Sequence, residues 1–246
     1  MDKNWRFGLV GRNINYSFSR GYFSEKFGKE SLDFTYENFD LDAISELPEI
    51  IANTANLGGL NVTIPYKETV IPYLNKVSKK ATLIGAVNTI KISKSGKLKG
   101  YNTDWYGFKK SVKPLLHSHH KNALILGTGG AAKAVAFALK ELGISFTFVS
   151  RKPNEFEIGY ASLNSDTFDQ FQIVINCTPI GTSPDTAAHP EIPFQYFNNK
   201  HIAYDLIYNP GETTFLRLAR EQGAVTKNGY SMLVFQAEKA WKIWRK

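Results

Sequence analysis

The sequence predicts two α/β domains, and three observations lead there. Short apolar runs rich in β-branched residues alternate with stretches whose apolar residues recur at helical spacing. From Asn122 the order strand, glycine-rich turn, helix, strand forms a βαβ unit, which makes the second domain Rossmann-like. The chain of 246 residues is long enough to bury one large core or two small ones.

Taken in order, Phe7–Val10 reads as a short apolar strand and Leu32–Asn38 alternates as a half-exposed one. Gly59–Ile64 is a third strand and Ala86–Ile92 a fourth, with some of the four antiparallel. Between them, Gly21–Phe27 and Thr69–Leu74 suit short helices, and Ala43–Leu57 carries apolar residues at helical spacing. In the second half, strand Ala123–Leu126 leads to helix Ala131–Leu142, closed by Gly143, and to strand Phe146–Val149. The stretch from Arg151 to Ile173 contains Pro153 and Gly159. Strands follow at Ile173–Asn176 and Ile202–Ile207, then a helix over Thr213–Gln222 stopped by Gly223. The last helix, Ser231–Trp244, sets Leu233, Ala237, Ala240, Trp241 and Trp244 on one stripe that must be buried. These elements place one domain at 1–105, with 229–246 returning to it, and the other at 106–228.

Composition excludes several classes of function. Hydrophobic residues make up 43% and charged residues 21%, ordinary for a folded chain. The net charge is +8, but the 30 Lys and Arg residues are scattered, so no nucleic-acid partner is expected. The densest basic stretch, Lys91 to Lys99, is broken by Ile92, Ser93, Ser95, Gly96 and Leu98 and suits an exposed hairpin better than a phosphate track. Cys177 is the single cysteine, so no intrachain disulfide forms. No signal-like leader and no membrane-length apolar run is found, and the expected setting is cytoplasmic. His117, His119 and His120 lie in a polar stretch without a carboxylate or cysteine nearby, so they read as a solvated linker and no metal is expected. Cys177 reads as a small core residue at a strand end.

Three clusters carry chemistry. Gly127-Thr128-Gly129-Gly130-Ala131 follows a strand and opens a helix, the context in which glycines let the backbone approach a pyrophosphate seated on a helix N-terminus. At the end of the next strand, where an acid would bond a ribose hydroxyl, stand Ser150, Arg151 and Lys152. Two cations without an acid attract a 2′-phosphate, so NADP is expected over NAD. In the first half, Lys67 lies just past a strand that ends at Pro65, and Asp104 precedes a helical stretch. Taken alone, Lys67 reads as a surface lysine and Asp104 as an N-cap.

Together these segments resemble the shikimate dehydrogenase family. The resemblance rests on Asn61-Val62-Thr63-Ile64-Pro65-Tyr66-Lys67, Gly85-Ala86-Val87-Asn88-Thr89, Asn102-Thr103-Asp104 and the glycine-rich turn. It continues through Asn176-Cys177-Thr178-Pro179-Ile180-Gly181, Asp205-Leu206-Ile207-Tyr208-Asn209-Pro210 and Gly229-Tyr230-Ser231-Met232-Leu233-Val234-Phe235-Gln236. It implies an N-terminal substrate-binding domain, a Rossmann-like NADP-binding domain and a cleft between them. Lys67 and Asp104 would form the catalytic pair, and Ser17 and Ser19 would bind the substrate carboxylate. Thr63, Asn88, Tyr208 and Gln236 would hold the ring hydroxyls of shikimate or 3-dehydroshikimate. Leu206 and Gly229 would join the turn and the Ser150–Lys152 stretch in binding the cofactor. The expected assembly is a monomer or homodimer.

Gln236 sits at helical spacing between Leu233 and Ala240 on an otherwise apolar face, where a polar side chain needs a partner. The family's first motif usually reads His-Ser-x-Ser-Pro, whereas this chain has Tyr16-Ser17-Phe18-Ser19-Arg20. Two other readings share most of the motifs. A quinate/shikimate dehydrogenase using NAD or NADP would keep nearly all of them, and a non-catalytic nucleotide-sensing relative would need the turn but not Lys67 with Asp104.

Overall fold

The computed structural model describes residues 4–14 and 17–246, so Tyr16 of the first motif lies outside the described residues. The chain divides into two compact units, Met1–Thr103 with Ala237–Lys246, and Asp104–Gln236.

The first unit is built from β1 (Arg6–Gly11), α1 (Phe18–Lys29), β2 (Thr35–Asp40), α2 (Leu47–Asn53), β3 (Leu57–Val62), β4 (Lys76–Val77), α3 (Lys79–Ile84), β5 (Thr89–Ile92) and β6 (Leu98–Tyr101). Its sheet runs β2-β1-β3-β5-β6-β4. The strands β1, β2 and β3 are parallel, whereas β5 runs antiparallel to both β3 and β6, which bears out the expected mixture. One face packs Leu47, Leu60, Val70 and Ile90, and the other packs Phe7, Leu9, Phe23 and Phe27 with Ala237, Ala240, Trp241 and Trp244. Of the expected stripe, Ala237, Ala240, Trp241 and Trp244 are therefore buried on this sheet, whereas Leu233 is half-buried and belongs to the second unit. Gly59 makes room for the helix: a Cβ there would stand 2.3 Å from the indole nitrogen of Trp244, which donates to the Ile90 carbonyl at 2.9 Å.

Two expected helices are shorter than their spacing suggests. The Ala43–Leu57 stretch forms a 3-10 turn at Ile44–Glu46 followed by α2, which ends at Asn53. Asn56 then takes a positive φ of 56° and turns the chain into β3 at Leu57, so the apolar residues that completed the helical pattern belong to a strand. Thr69–Leu74 yields only the 3-10 turn Ile71–Tyr73, opened by Pro72. Conversely, Ser17 caps α1 and starts it at Phe18, ahead of the expected Gly21.

The second unit contains α4 (Asp104–Val112), β7 (Asn122–Leu126), α5 (Gly130–Glu141), β8 (Ser145–Ser150), β9 (Glu157–Gly159), α6 (Ser165–Gln170), β10 (Ile173–Asn176), β11 (Ile202–Asp205), α7 (Thr214–Glu221) and β12 (Val225–Lys227). A final helix, α8 (Tyr230–Trp244), belongs to this unit as far as Gln236. The sheet is parallel throughout, in the order β12-β11-β10-β7-β8-β9. Counted from β7 as the first strand, that is the Rossmann order, with the direction of winding reversing between β7 and β10. Helices cover both faces, so the strands are continuously apolar. Ala123 and Ile125 enter one core and Leu124 and Leu126 the other. Between Arg151 and Ile173 the helical structure is a 3-10 turn at Tyr160–Ser162 and the six-residue α6.

The solvated-linker reading fits the exposed His117 and His119 but not His120. His120 is buried, its Nδ1 accepting from the His117 amide at 2.8 Å and its other ring nitrogen 3.1 Å from the Lys200 carbonyl. Among the described residues no group of three His, Cys, Asp or Glu side chains could hold a metal, and no helix is long and apolar enough to cross a membrane.

Candidate active site

In the second unit the glycine-rich turn sits where the strand order reverses, the place at which open α/β sheets bind ligands. Gly127 takes φ +98° and donates to the Val149 carbonyl at 2.9 Å. A Cβ there would be strained and would press on Thr178 Cγ2 at 3.2 Å. Gly129 precedes α5 in extended conformation and offers no side-chain cap, so the first amides of α5 keep their capacity to bind an anion. Thr128 and Gly129 are exposed, and Gly130 and Ala131 half-buried. At the end of β8, the Ser150 hydroxyl accepts from the Lys152 amide at 3.3 Å, and Arg151 and Lys152 are exposed. Tyr160 was not legible as part of this corner. Its phenol is pushed up by burial, with the nearby Arg151 charge opposing.

The ends of β10 and β11 are held by a buried carboxylate. Asp205 accepts from Asn176 Nδ2 at 3.1 Å, the Ile207 amide at 3.0 Å and the Thr213 hydroxyl at 2.6 Å. Burial pushes its carboxyl up to about 6, and these three donors pull the other way. Asn176 Oδ1 in turn accepts from the amide and hydroxyl of Thr178, at 3.0 and 2.7 Å. Between them, Asn176 and Asp205 fix the turns that carry Cys177, Thr178, Leu206 and Tyr208. Leu206 and Gly229 are brought together: the Gly229 amide donates to the Ile207 carbonyl at 2.9 Å, and a Cβ on Gly229 would lie 2.0 Å from the Leu206 carbonyl oxygen. Cys177 is half-buried against the core, its thiol pushed well up by burial and by Asp205. Tyr208 is half-buried and Gln236 is 7% exposed. Gly107 of α4 lets α8 pass closely, since a Cβ there would meet the Met232 carbonyl oxygen at 2.5 Å. Asp104 is buried and is the first residue of α4 rather than the residue before it, at the positive end of the helix.

In the first unit Asn88, one of the expected substrate residues, joins a buried polar line. The Ser17 hydroxyl accepts from the Ser19 amide at 3.2 Å, and the Ser19 side chain lies near the Tyr36 phenol. Tyr36 donates to Asn61 Oδ1 at 2.8 Å, and Asn61 Nδ2 reaches the Asn88 carbonyl at 3.2 Å and Thr89 Oγ1 at 3.3 Å. Asn88 Oδ1 accepts from the Thr103 amide at 2.7 Å while its Nδ2 donates to Thr103 Oγ1 at 3.0 Å. Ser19, Tyr36, Asn61, Asn88, Thr89 and Thr103 are all buried. Thr63 is half-buried, its amide bonded to the Val10 carbonyl at 2.9 Å. The half-buried Lys67 is tied through its carbonyl to the Val87 amide at 2.7 Å, one residue from Asn88. Tyr36, Asn61 and Thr89 were not singled out from the sequence as members of the site.

Comparison with known proteins gives this geometry a family. Residues 9–90 match the model of the shikimate dehydrogenase substrate binding domain. A Clostridium botulinum protein named shikimate dehydrogenase (NADP(+)) is 39% identical, over 96% of this chain and 95% of its own length. Among solved structures, the shikimate 5-dehydrogenase of Thermus thermophilus in complex with NADP(H) and shikimate superposes with a TM-score of 0.85 at 31% identity, covering 98% of this chain and 93% of that one. The quinate dehydrogenase of Corynebacterium glutamicum in complex with NAD does so at 0.86 and 26% identity, with the same coverage. With a Rossmann-ordered second unit, a matched substrate-binding first unit and this identity along nearly its whole length, the chain belongs to the shikimate dehydrogenase family.

Proposed function

We propose that this protein interconverts 3-dehydroshikimate and shikimate by hydride transfer with NADP(H). The first unit would take the substrate and the second the dinucleotide. The observation that carries the reading is the buried polar line from Tyr36 to Thr103, a floor suited to a small ring bearing a carboxylate and several hydroxyls. Ser17 and Ser19 bind the carboxylate, and Thr63, Asn88, Tyr208 and Gln236 the hydroxyls.

The residues present fit NADP. The uncapped N-terminus of α5 and the close turn at Gly127 suit a pyrophosphate, and Ser150, Arg151 and Lys152 suit a 2′-phosphate. Thr128, Gly129, Gly130 and Ala131 complete the turn, and Leu206 with Gly229 completes the cofactor side. When bound, the nicotinamide supplies or accepts the hydride. Lys67 holds its ammonium toward the substrate oxygen, stabilises the negative charge that develops on reduction and gives up the proton. Asp104 orients the same group and the hydroxyl that forms.

The test is the absorbance of reduced cofactor when the protein is given shikimate or quinate, each with NADP or NAD. Reduction with shikimate and NADP is expected. The likeness to an NAD-bound quinate dehydrogenase makes quinate with NAD the alternative outcome, which would keep the mechanism and change the specificity. Folded protein that is silent in all four mixtures would leave a nucleotide sensor and overturn the proposal.

A further inference from the structure

We propose that the outer half of the first sheet carries a second anion site, made of none of the residues assigned above, that takes a compact polyphosphate, free or as part of a nucleotide. Strand pairing sets Lys91 of β5 opposite Lys99 of β6, and Lys99 opposite Lys76 of β4. Three lysines thus stand in one row across three strands, at successive spacings of about 5 Å. Like charges placed directly opposite one another destabilise a sheet.

Paired carboxylates would normally relieve such a row. Among the described residues, no carboxylate pairs with Lys76, Lys91, Lys97 or Lys99, although Lys91 and Lys99 are half-buried. Elsewhere in the same unit Lys26 pairs with Glu30 and Glu238, and Lys29 with Glu25. Edge protection accounts for Lys76, since a lysine on a two-residue edge strand discourages strand addition. It does not account for Lys91 and Lys99, whose strands lie inside the sheet.

The four lysines line a cavity of about 630 Å³ together with Ser93, Ser95 and Tyr101, a volume in the range of small-ligand sites. Its wall is held in place. The Lys97 amide donates to Ser93 Oγ at 3.0 Å, and the Leu98 amide to Asn75 Oδ1 at 2.7 Å. The Lys99 ammonium lies 5.3 Å from the centre of the Tyr101 ring. Four cations around one hollow, with hydroxyl donors beside them, complement a small multivalent anion. They form no extended track of the kind a nucleic-acid backbone needs, which agrees with the broken spacing of the basic stretch.

The test is calorimetric titration of the intact protein with tripolyphosphate and with ATP at low ionic strength, where screening is weakest. Saturable binding is expected, and Lys91→Gln/Lys99→Gln should weaken it about tenfold or more, a loss of roughly 1.4 kcal/mol. Lys97→Gln, at the exposed hairpin, should weaken it in the same direction and serves as the second variant. Equal affinity for the two anions identifies the phosphates as the feature recognised, and tighter ATP adds its base on Tyr101. No saturable binding by the wild type, or identical isotherms in all the variants, overturns the proposal. The calorimetric signal does not depend on turnover, so it is separable from the reading of the catalytic residues.

Discussion

At the scale of single residues, the proposed chemistry divides into groups that would touch substrate and groups that hold them. Lys67→Ala is expected to lower turnover by about 10²–10⁴-fold while leaving NADP affinity unchanged, measured by steady-state kinetics and dinucleotide fluorescence. Unchanged turnover would remove Lys67 from the mechanism. Asp205 belongs to the second kind, and its ionisation makes a separate prediction. Burial raises its carboxyl from the ordinary 3.8 to about 6, so on raising the pH the unfolded chain releases this proton before the folded one. The group's contribution to stability is full below about pH 4, falls through about pH 6 and is constant above, a loss on the order of 3 kcal/mol. Urea unfolding across this range should therefore show wild type losing stability relative to Asp205→Asn as pH rises, and parallel profiles would refute the assignment. The proposed catalytic residues Lys67 and Asp104 were named from local motifs. Tyr36, Asn61 and Thr89 were not, because their network depends on register: Asn61 is the strand partner of Thr89, 28 positions away, and Tyr36 reaches Asn61 from a third strand.

At the scale of elements, the glycines show which backbone approaches the fold requires. Gly229 ties the start of α8 to the end of β11, and a Cβ there would fall on backbone rather than on a side chain that could move aside. Gly229→Ala is therefore expected to cost about 1–3 kcal/mol, read as a lowered melting temperature; an unchanged melting temperature would show that α8 can shift freely. The end of β8 makes a prediction about specificity. With Arg151→Asp the corner gains the acid that a ribose hydroxyl prefers and loses a cation, so the ratio of kcat/KM for NADP over NAD should fall by about tenfold or more. An unchanged ratio would relocate cofactor choice away from β8. Elements with a single local signal were legible, as with α5 between its turn and Gly143. The Ala43–Leu57 stretch was misread because apolar residues from a turn, a helix and a strand fell by chance on one helical period, while the boundary was set by the backbone at Asn56.

At the scale of the whole molecule, the two units differ in how the chain closes them. The second is one continuous segment with both of its cores inside it, whereas the first needs Ala237–Lys246 to cover Phe7, Leu9, Phe23 and Phe27. Trp244 stacks on Phe7 at 4.9 Å between ring centres, and Trp241 meets Phe7 and Phe27 at 5.7 and 5.3 Å. Removing these two side chains alone forfeits several kcal/mol, about 3–5 for each large aromatic, which is a large share of what holds a small unit folded. A chain ending at Gln236 is therefore expected to lose the first unit and, with it, shikimate turnover, while the second unit still binds NADP. Dinucleotide at about 100 times its dissociation constant should then raise the melting temperature of the remaining transition, by the equivalent of about 2.7 kcal/mol. Full turnover in the truncated protein would show that the aromatic stripe of α8 is dispensable for the first unit. Absence of any NADP-linked shift would show that the second unit does not stand without it.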